Sequence, residues 1–166
     1  MRYYGHGTVE SPFPDAGQVP RPYGAAHLPA NDADGGWVGS VVDLHRIARA
    51  LGNGEGGEIL SPESFRTMTR RPDVDAWSGA NQYYGAGWYV IPGAGGPSLW
   101  HNGSLPGSYG FLLYDTAEER GVAALYNSRA PDTQFRQFNV AAQRTLLNAV
   151  GSVESWPDRG LFGEFD

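Results

Sequence analysis

Lysine and cysteine are both absent from this chain of 166 residues, and each absence excludes a class of chemistry. Without lysine, the chain supplies neither a Schiff base nor a lysine general base for a serine nucleophile. Without cysteine, it forms no disulfide, thiolate nucleophile or cysteine-type zinc site. All twelve basic residues are arginine, a pattern that a GC-rich genome also produces through its arginine codons. Neither absence fixes the compartment, so cytoplasmic and extracytoplasmic locations both stay open, depending on any upstream sequence.

The chain also lacks a basic surface and a long apolar run. Its formal net charge is −6 and it has no basic cluster. Nucleic acid is therefore not expected as a partner, because phosphate binding needs a concentrated cationic face. No stretch approaches the roughly 20 apolar residues of a membrane span, and residues 1–5 carry no apolar signal region. We expect no membrane partner either.

The composition is that of a folded globular protein, with 40% hydrophobic and 13% aromatic residues. The 24 glycines and 12 prolines predict short regular elements that are joined by long ordered loops. Residues 1–36 are rich in proline and glycine and show no sustained period, so they are predicted to be an irregular N-terminal segment. Residues 37–166 carry the predicted helices and sheet, and residues 1–166 are interpreted as a single, incomplete domain.

Two short helices are predicted in the first half of the chain. Ser40 is a good N-cap with Asp43 in the capping-box position, and the apolar stripe that follows ends at the Gly-Asn-Gly of residues 52–54. A second helix is predicted to begin at Ser61, with proline at its first position, and to stop before Pro72. Phe65 is expected on its buried face.

The second half of the chain predicts an antiparallel sheet and a covering helix. Strand-like segments at 84–91, 98–101, 108–115 and 121–127 indicate a meander of about four strands. A final helix is predicted with Asp132 or Thr133 as its cap, running to about Val150, with Gly151 as its C-cap. The fold class is therefore α+β, with a C-terminal helix on one face of the sheet. The tail, residues 152–166, is expected to pack through its apolar side chains, Trp156, Leu161, Phe162 and Phe165.

The sequence gives little support for a metal site or for a Ser-His-Asp catalytic triad. The histidines His6, His27, His45 and His101 have no metal-ligand spacing, so neither a metal site nor another cofactor is expected. The Gly-x-Ser-x-Gly elbow of α/β-hydrolases is also missing.

The segment from Trp100 to Tyr109 is the best candidate for a functional site. His101, Asn102 and Gly103 lie at the end of a predicted strand and precede a Gly/Pro turn. A glycine there lets a substrate approach the backbone, and an edge N–H group can bind a substrate carbonyl. The alternative is an ordinary hairpin whose His101 and Asn102 side chains bond their own turn.

Several short motifs occur in an order that is familiar from one enzyme family. In chain order they are Gly35-Gly36-Trp37-Val38-Gly39-Ser40-Val41-Val42-Asp43-Leu44, Leu60-Ser61-Pro62-Glu63, Tyr84-Gly85-Ala86-Gly87-Trp88, His101-Asn102-Gly103, Pro106-Gly107 and Leu125-Tyr126-Asn127. With these motifs the chain resembles the C-terminal half of the serine β-lactamase and penicillin-binding-protein-like family. It is most similar to the class C-like branch, which includes D-Ala-D-Ala peptidases, D-aminopeptidases and esterases. The resemblance implies a partial β-lactamase/transpeptidase-like fold.

The resemblance also implies roles for individual residues. His101 would take the place of the cationic or hydrogen-bonding residue of the family's third motif, and Asn102 the position that contacts a substrate carboxylate or amide. Gly103 would give clearance, and Ser104 would offer its backbone N–H to the oxyanion hole. Arg129 and Arg136 would help to bind an anionic substrate group, with solvated surface arginines as the alternative.

Two catalytic motifs of that family are missing from the chain. Ser-x-x-Lys cannot occur without lysine, and no tyrosine has an asparagine two residues later. The chain is therefore interpreted as a fragment, a separately expressed half or a truncated product, without a catalytic residue of its own and inactive in isolation. As part of a serine hydrolase it would act on a β-lactam, a D-amino-acid peptide or a small ester.

Two other functions stay open. The chain is alternatively a non-catalytic binding or oligomerisation module, which pairs as a homodimer or with a complementary N-terminal half. A third possibility is an independent hydrolase that uses His101 with Ser104 or Ser108.

Overall fold

The computed structural model describes residues 1–31, 33–52 and 57–156 and has the predicted α+β architecture. Five strands form one antiparallel sheet in the order β3-β4-β5-β6-β7, namely β3 (Tyr83–Tyr84), β4 (Tyr89–Ile91), β5 (Ser98–Leu105), β6 (Ser108–Asp115) and β7 (Arg120–Tyr126). The helices are α1 (Arg21–Gly24), α2 (Val41–Leu51), α3 (Pro62–Thr69) and α4 (Phe135–Gly151), and β1 (Thr8–Glu10) pairs with β2 (Gln18–Pro20) in a separate small sheet. In the described residues no helix is both long and apolar enough to cross a membrane.

The chain divides into two compact units. Unit 1 comprises Met1–Gly39, Asn102–Gly110 and the residues from Ala124 onward, and unit 2 comprises Ser40–His101 and Phe111–Ala123. The strands β5, β6 and β7 each contribute residues to both units. The interpretation of residues 1–166 as a single incomplete domain stays a prediction.

The two helices of unit 2 begin where their caps predict. The Ser40 hydroxyl accepts a hydrogen bond from the Asp43 N–H at 3.2 Å, and the Asp43 carboxylate accepts one from the Ser40 N–H at 2.7 Å, which completes the capping box of α2. The Ser40 hydroxyl also donates to the Asp43 carboxylate at 2.8 Å, and the two bonds that this carboxylate accepts, first from the Ser40 N–H and then from the hydroxyl, lower the pKa of Asp43. Ser61 caps α3 in the same way by accepting from the Ser64 N–H at 3.1 Å. Gly52 is the C-cap of α2, and the other predicted stop residues, 53 and 54, lie outside the described residues.

The core of unit 2 joins these helices to the sheet. One buried cluster combines residues of α2, α3 and three strands, namely Leu51, Phe65, Tyr83, Val90 and Leu99. A second cluster combines Ala48 with Leu112 and Tyr114. The predicted inward position of Phe65 is confirmed, since this side chain is 2% exposed.

Two strand predictions need correction. The run at 84–91 is not one strand but part of a tight hairpin, in which the Gly85 N–H donates to the Trp88 carbonyl at 2.8 Å and Gly87 adopts a φ of +83°. The sheet therefore has five strands rather than four. The strand predicted at 98–101 continues to Leu105, because the chain turns at Pro106-Gly107, where Gly107 has a φ of +83°. His101, Asn102 and Gly103 thus lie within a strand and not at its end.

The N-terminal segment of unit 1 contains more regular structure than we predicted. Strands β1 and β2 form an antiparallel hairpin in which Val9 faces Val19, and α1 follows directly. Tyr4 forms a parallel bridge with Ser128, and its N–H donates to the Asn127 carbonyl at 2.9 Å. The prediction of a wholly irregular segment at 1–36 was wrong, because three-residue strands are too short to show a period.

Helix α4 begins later than predicted. Its N-cap is Gln134, with no side-chain capping bond, and Asp132 instead binds arginine side chains of unit 1. Gly151 is the last helical residue rather than the C-cap, which is Ser152. In the tail, Trp156 is 52% exposed, so its predicted packing is at most partial. The other predicted packing residues of the tail, Leu161, Phe162 and Phe165, lie outside the described residues.

Candidate functional site

Strand β5 carries the predicted site on a segment whose pairing changes along its length. All three residues of β4 pair with residues 98–100, so the pairing with β4 ends at Trp100. Residues 106 and 107 form a two-residue turn, whose flanking residues, Leu105 and Ser108, direct their backbone groups toward each other. Because backbone groups alternate in direction along a strand, the N–H of Ser104 points away from β6. This edge of the strand is therefore suited to bind an oxygen acceptor.

In unit 2, His101 belongs to a cluster of aromatic side chains, the His101 group, which also contains Tyr84, Tyr89 and Trp100. The Tyr84 hydroxyl lies 3.0 Å from Nε2 of His101. The Tyr89 ring packs edge-on against Tyr84, with centroids 4.8 Å apart, and stacks on Trp100 at 4.2 Å. The Trp100 indole N–H donates to the Gln82 side chain at 3.2 Å. The His101 group therefore has no formal charge when His101 is neutral.

In unit 1, Ser104 belongs to a charged cluster, the Ser104 group, which also contains Arg21, Arg129, Asp132 and Phe135. Arg129 donates to the Ser104 hydroxyl at 3.1 Å, forms an ion pair with Asp132 and lies over the Phe135 ring, 4.4 Å from its centroid. Its side chain is only 17% exposed. Arg21 reaches the other oxygen of Asp132 at 3.2 Å. Two arginines share one carboxylate, so the Ser104 group carries a net positive charge.

A cavity of about 90 Å³ lies beside the Ser104 group in unit 1. Its walls include the three charged side chains, Arg21, Arg129 and Asp132, and the turn residues Pro106 and Gly107. This volume admits one to a few water-sized groups, or a single carboxylate, but not a whole substrate.

Asn102 lies next to a buried tyrosine in unit 1. The Tyr109 side chain is 2% exposed, and its hydroxyl accepts a hydrogen bond from Gln143 of α4 at 2.8 Å. Burial raises the pKa of Tyr109, while hydrogen bonds with Gln143 and Asn102 oppose that shift. The Asn102 amide is therefore engaged within the chain, which leaves its predicted contact with a substrate as a prediction.

Most of the remaining predicted residues stand apart from these clusters. A Cβ placed on Gly103 would meet no atom within 4 Å in the described part of the chain. Arg136 is exposed, and His6, which is also exposed, lines the cavity beside the Ser104 group. His45 packs edge-on against Tyr114, and burial, followed by the charge of Arg49, lowers its pKa. Within residues 1–31, 33–52 and 57–156, no cluster of three or more potential metal ligands occurs.

Sequence reasoning missed three residues that make hydrogen bonds or ion pairs in the two groups. Tyr84 is interpreted from the sequence only as part of the Tyr-Gly-Ala-Gly-Trp motif. Its place on a strand near that of His101 could have indicated a hydrogen bond between the two side chains. Asp132 was interpreted as a helix cap, although it follows Arg129 by three residues. Arg21 is 111 residues from Asp132, so no local pattern connects the two.

A comparison with protein families assigns the chain. A family model described as Beta-lactamase matches residues 2–145, which is most of the sequence. The chain belongs to the Beta-lactamase family. The match includes the N-terminal segment and the part of α4 up to residue 145, beyond the motifs from which the resemblance was drawn. No curated protein and no solved structure matched this Beta-lactamase family chain.

The contacts of Ser104 in this Beta-lactamase family chain are those of a binding residue rather than of an activated nucleophile. The Ser104 hydroxyl contacts a guanidinium and, at 3.4 Å, the Ser108 carbonyl, and neither group acts as a general base. The sequence provides no lysine to take that role. What the chain does offer is a strand edge with an outward N–H group and a cation beside it.

Proposed function

We propose that this chain forms the substrate-pocket portion of a β-lactamase-related serine hydrolase and is not catalytically competent alone. The observation that carries the proposal is the part of β5 beyond its pairing with β4, where the partly buried guanidinium of Arg129 donates to the Ser104 hydroxyl. Membership of the Beta-lactamase family supports an acyl-transfer reaction. In that reaction a serine from a Ser-x-x-Lys segment, which this sequence lacks, would form the acyl ester.

In this proposal, Ser104 and Arg129 have different tasks. The Ser104 N–H stabilises the oxyanion that develops on the substrate carbonyl, and removal of one such donor typically costs about 10²- to 10³-fold in rate. Arg129 attracts a substrate carboxylate, and its stacking on Phe135 keeps the guanidinium in place. β-Lactams and peptides that end in a D-amino acid carry such a carboxylate, whereas simple esters need not. We therefore favour the first two substrate classes over neutral esters.

Calorimetric titration of the purified chain with benzylpenicillin and with N-acetyl-D-Ala-D-Ala tests the proposal. Both ligands should bind saturably, and Arg129→Gln should weaken binding roughly five- to tenfold, as expected for loss of one charge-assisted hydrogen bond. The matched control is Arg144→Gln, which removes an exposed arginine of α4 and should leave the affinity unchanged. Nitrocefin should not be hydrolysed by the chain alone. Absence of saturable binding, or equal losses in the two variants, would contradict the proposal.

A second candidate is the non-catalytic binding or oligomerisation module. It is favoured by two neighbouring apolar side chains of unit 1, Trp37 and Val38, which are 85% and 96% exposed. Large apolar groups that are exposed side by side commonly mark an interaction surface. Sedimentation of the chain over a range of concentrations tests this candidate. Reversible self-association that Trp37→Ser abolishes would support it, and a monomer at all concentrations would count against the homodimer.

A further inference from the structure

The hydrogen bond between Tyr84 and His101 joins two side chains of unit 2 that are 17 residues apart in sequence. The Tyr84 hydroxyl oxygen lies 3.0 Å from Nε2 of His101, and both residues are partly buried. The two rings are tilted by 57° with centroids 5.9 Å apart, so they meet through this polar contact and not by stacking. Because a histidine has two ring nitrogens, the partner of one nitrogen determines what the other can do.

The position of Tyr84 is set by strand pairing. Tyr84 in β3 faces Tyr89 in β4, and Tyr89 in turn faces Trp100 in β5. Edge-on packing of Tyr89 against Tyr84 and stacking of Tyr89 on Trp100 connect the three rings across the strands. His101 directly follows Trp100. Strand pairing and ring packing therefore fix the position of the Tyr84 ring, from which its hydroxyl contacts His101.

The direction of the bond follows from the chemistry of the two groups. A phenol is a better donor than a neutral imidazole N–H, and an unprotonated imidazole nitrogen is a better acceptor than a phenol oxygen. We propose that Tyr84 is a positioning residue, which donates to Nε2 of His101 and holds the neutral ring as the tautomer with its proton on Nδ1. The group that His101 offers to a substrate is then the Nδ1–H, a donor suited to a carbonyl or carboxylate oxygen.

This assignment deepens the proposed function and rests on it for the role of His101 toward a substrate. With its proton on Nδ1 and its lone pair engaged by Tyr84, neutral His101 has no free acceptor. To take a proton from a serine hydroxyl it would first have to break the Tyr84 bond. The inference therefore assigns His101 to substrate binding and argues against the independent hydrolase in which His101 is the base.

The tautomer can be observed directly without any ligand. Long-range ¹H–¹⁵N spectra of histidine-labelled protein, at a pH where the rings are neutral, distinguish a proton on Nδ1 from one on Nε2. The His101 signals are assigned by their absence from His101→Ala. We expect the Nδ1–H form in the native chain and a shift toward the Nε2–H form in Tyr84→Phe. Tyr89→Phe is the matched control, because it removes a hydroxyl from the same group and should leave the tautomer unchanged.

An Nε2–H form in the native chain would overturn the inference, and this measurement needs no variant to fold. An unchanged spectrum in Tyr84→Phe, or an equal change in Tyr89→Phe, would also overturn it. Benzylpenicillin should bind Tyr84→Phe roughly five- to tenfold more weakly, the effect of about one hydrogen bond. If the Nδ1–H form is observed but no ligand binds the native chain, the proposed function fails while the tautomer assignment stands.

Discussion

Unit 1 and unit 2 differ in how much apolar side-chain surface they bury. Ten of the eleven hydrophobic side chains that are buried in the described residues belong to unit 2, and Tyr109 is the one that belongs to unit 1. Helix α4 has no buried residue, whereas α2 and α3 each bury at least one. In unit 1, tyrosine and phenylalanine ring contacts, the Tyr109–Gln143 bond and the Arg21–Asp132–Arg129 ion pairs take the place of a dense core.

This difference bears on the candidate site. The His101 group is built on strands that a packed core supports, and its geometry should tolerate changes of surface charge. The Ser104 group depends on partly exposed ion pairs, which are individually weak and sensitive to salt. Substitutions of core residues in unit 2 should therefore act mainly on stability, and substitutions in the ion pairs of unit 1 mainly on the position of Arg129.

The largest expected effect is the loss of a core ring in unit 2. Phe65→Ala should reduce the free energy of unfolding by about 3–5 kcal/mol, since it removes a fully buried aromatic side chain and leaves a cavity. Phe135→Ala, its counterpart on α4 in unit 1, should cost about 1–2 kcal/mol because that ring is only partly buried. Urea unfolding measures both. Equal losses would show that the two units are not stabilised differently.

A smaller effect is expected from the one buried tyrosine of unit 1. Tyr109→Phe keeps the ring but removes the hydroxyl that Gln143 binds, which should cost about 1 kcal/mol. Tyr126→Phe is the matched control in the neighbouring ring, which stacks on Tyr109 with centroids 5.8 Å apart. Thermal or urea unfolding should show a greater loss for Tyr109→Phe than for Tyr126→Phe. The reverse order would mean that the Gln143 bond contributes little.

A pH-dependent effect is expected in unit 2. Burial lowers the pKa of His45 below its usual 6.5, so the folded state binds a proton there less readily than the unfolded state. This contribution to stability is present above pH 6.5 and is lost as the pH falls through the folded pKa. His45→Gln should flatten the decline in unfolding free energy between about pH 7 and pH 5. An unchanged slope in the variant would contradict this origin of the pH dependence.

The smallest effect on stability is expected at Asp132. Its side chain is 57% exposed, so Asp132→Asn should change the unfolding free energy by less than about 1 kcal/mol, and by less still in high salt. The same substitution removes the carboxylate that holds Arg129 and should broaden or shift the Arg129 guanidinium signals in an NMR spectrum. Well-ordered, unshifted signals would show that Phe135 and Ser104 suffice to hold Arg129.

Local signals in the sequence were enough to predict the helices of unit 2 and most of the sheet. The capping bonds join Ser40 to Asp43 and Ser61 to Ser64, so each contact lies within the short sequence pattern that predicts it. The extent of β5 was missed because Asn102-Gly103 has a turn-like composition, whereas the chain turns at Pro106-Gly107. The start of α4 was missed because Asp132 binds Arg21 from a distant part of the chain.

Local sequence signals likewise predicted only part of the candidate site. Its four consecutive residues were predicted from motif order, because they are neighbours in sequence, and their role stays a prediction. The partners that define their chemistry, Tyr84 for His101 and Arg129 for Ser104, lie 17 and 25 residues away. Arg129 was predicted only through family resemblance. Such contacts between residues that are distant in sequence depend on how the strands pair, and strand pairing cannot be derived from a single sequence.

A residue-resolved NMR titration of the chain with benzylpenicillin tests directly whether the edge of β5 binds a substrate. We expect the largest amide shifts at residues 101–104, with a matching change at the Arg129 guanidinium, and no comparable change at Trp37 or Val38. His101→Ala should reduce these shifts without loss of the fold. Shifts confined to other surfaces, or none at a ligand concentration that saturates binding, would contradict the assignment of this strand edge as the substrate-binding site.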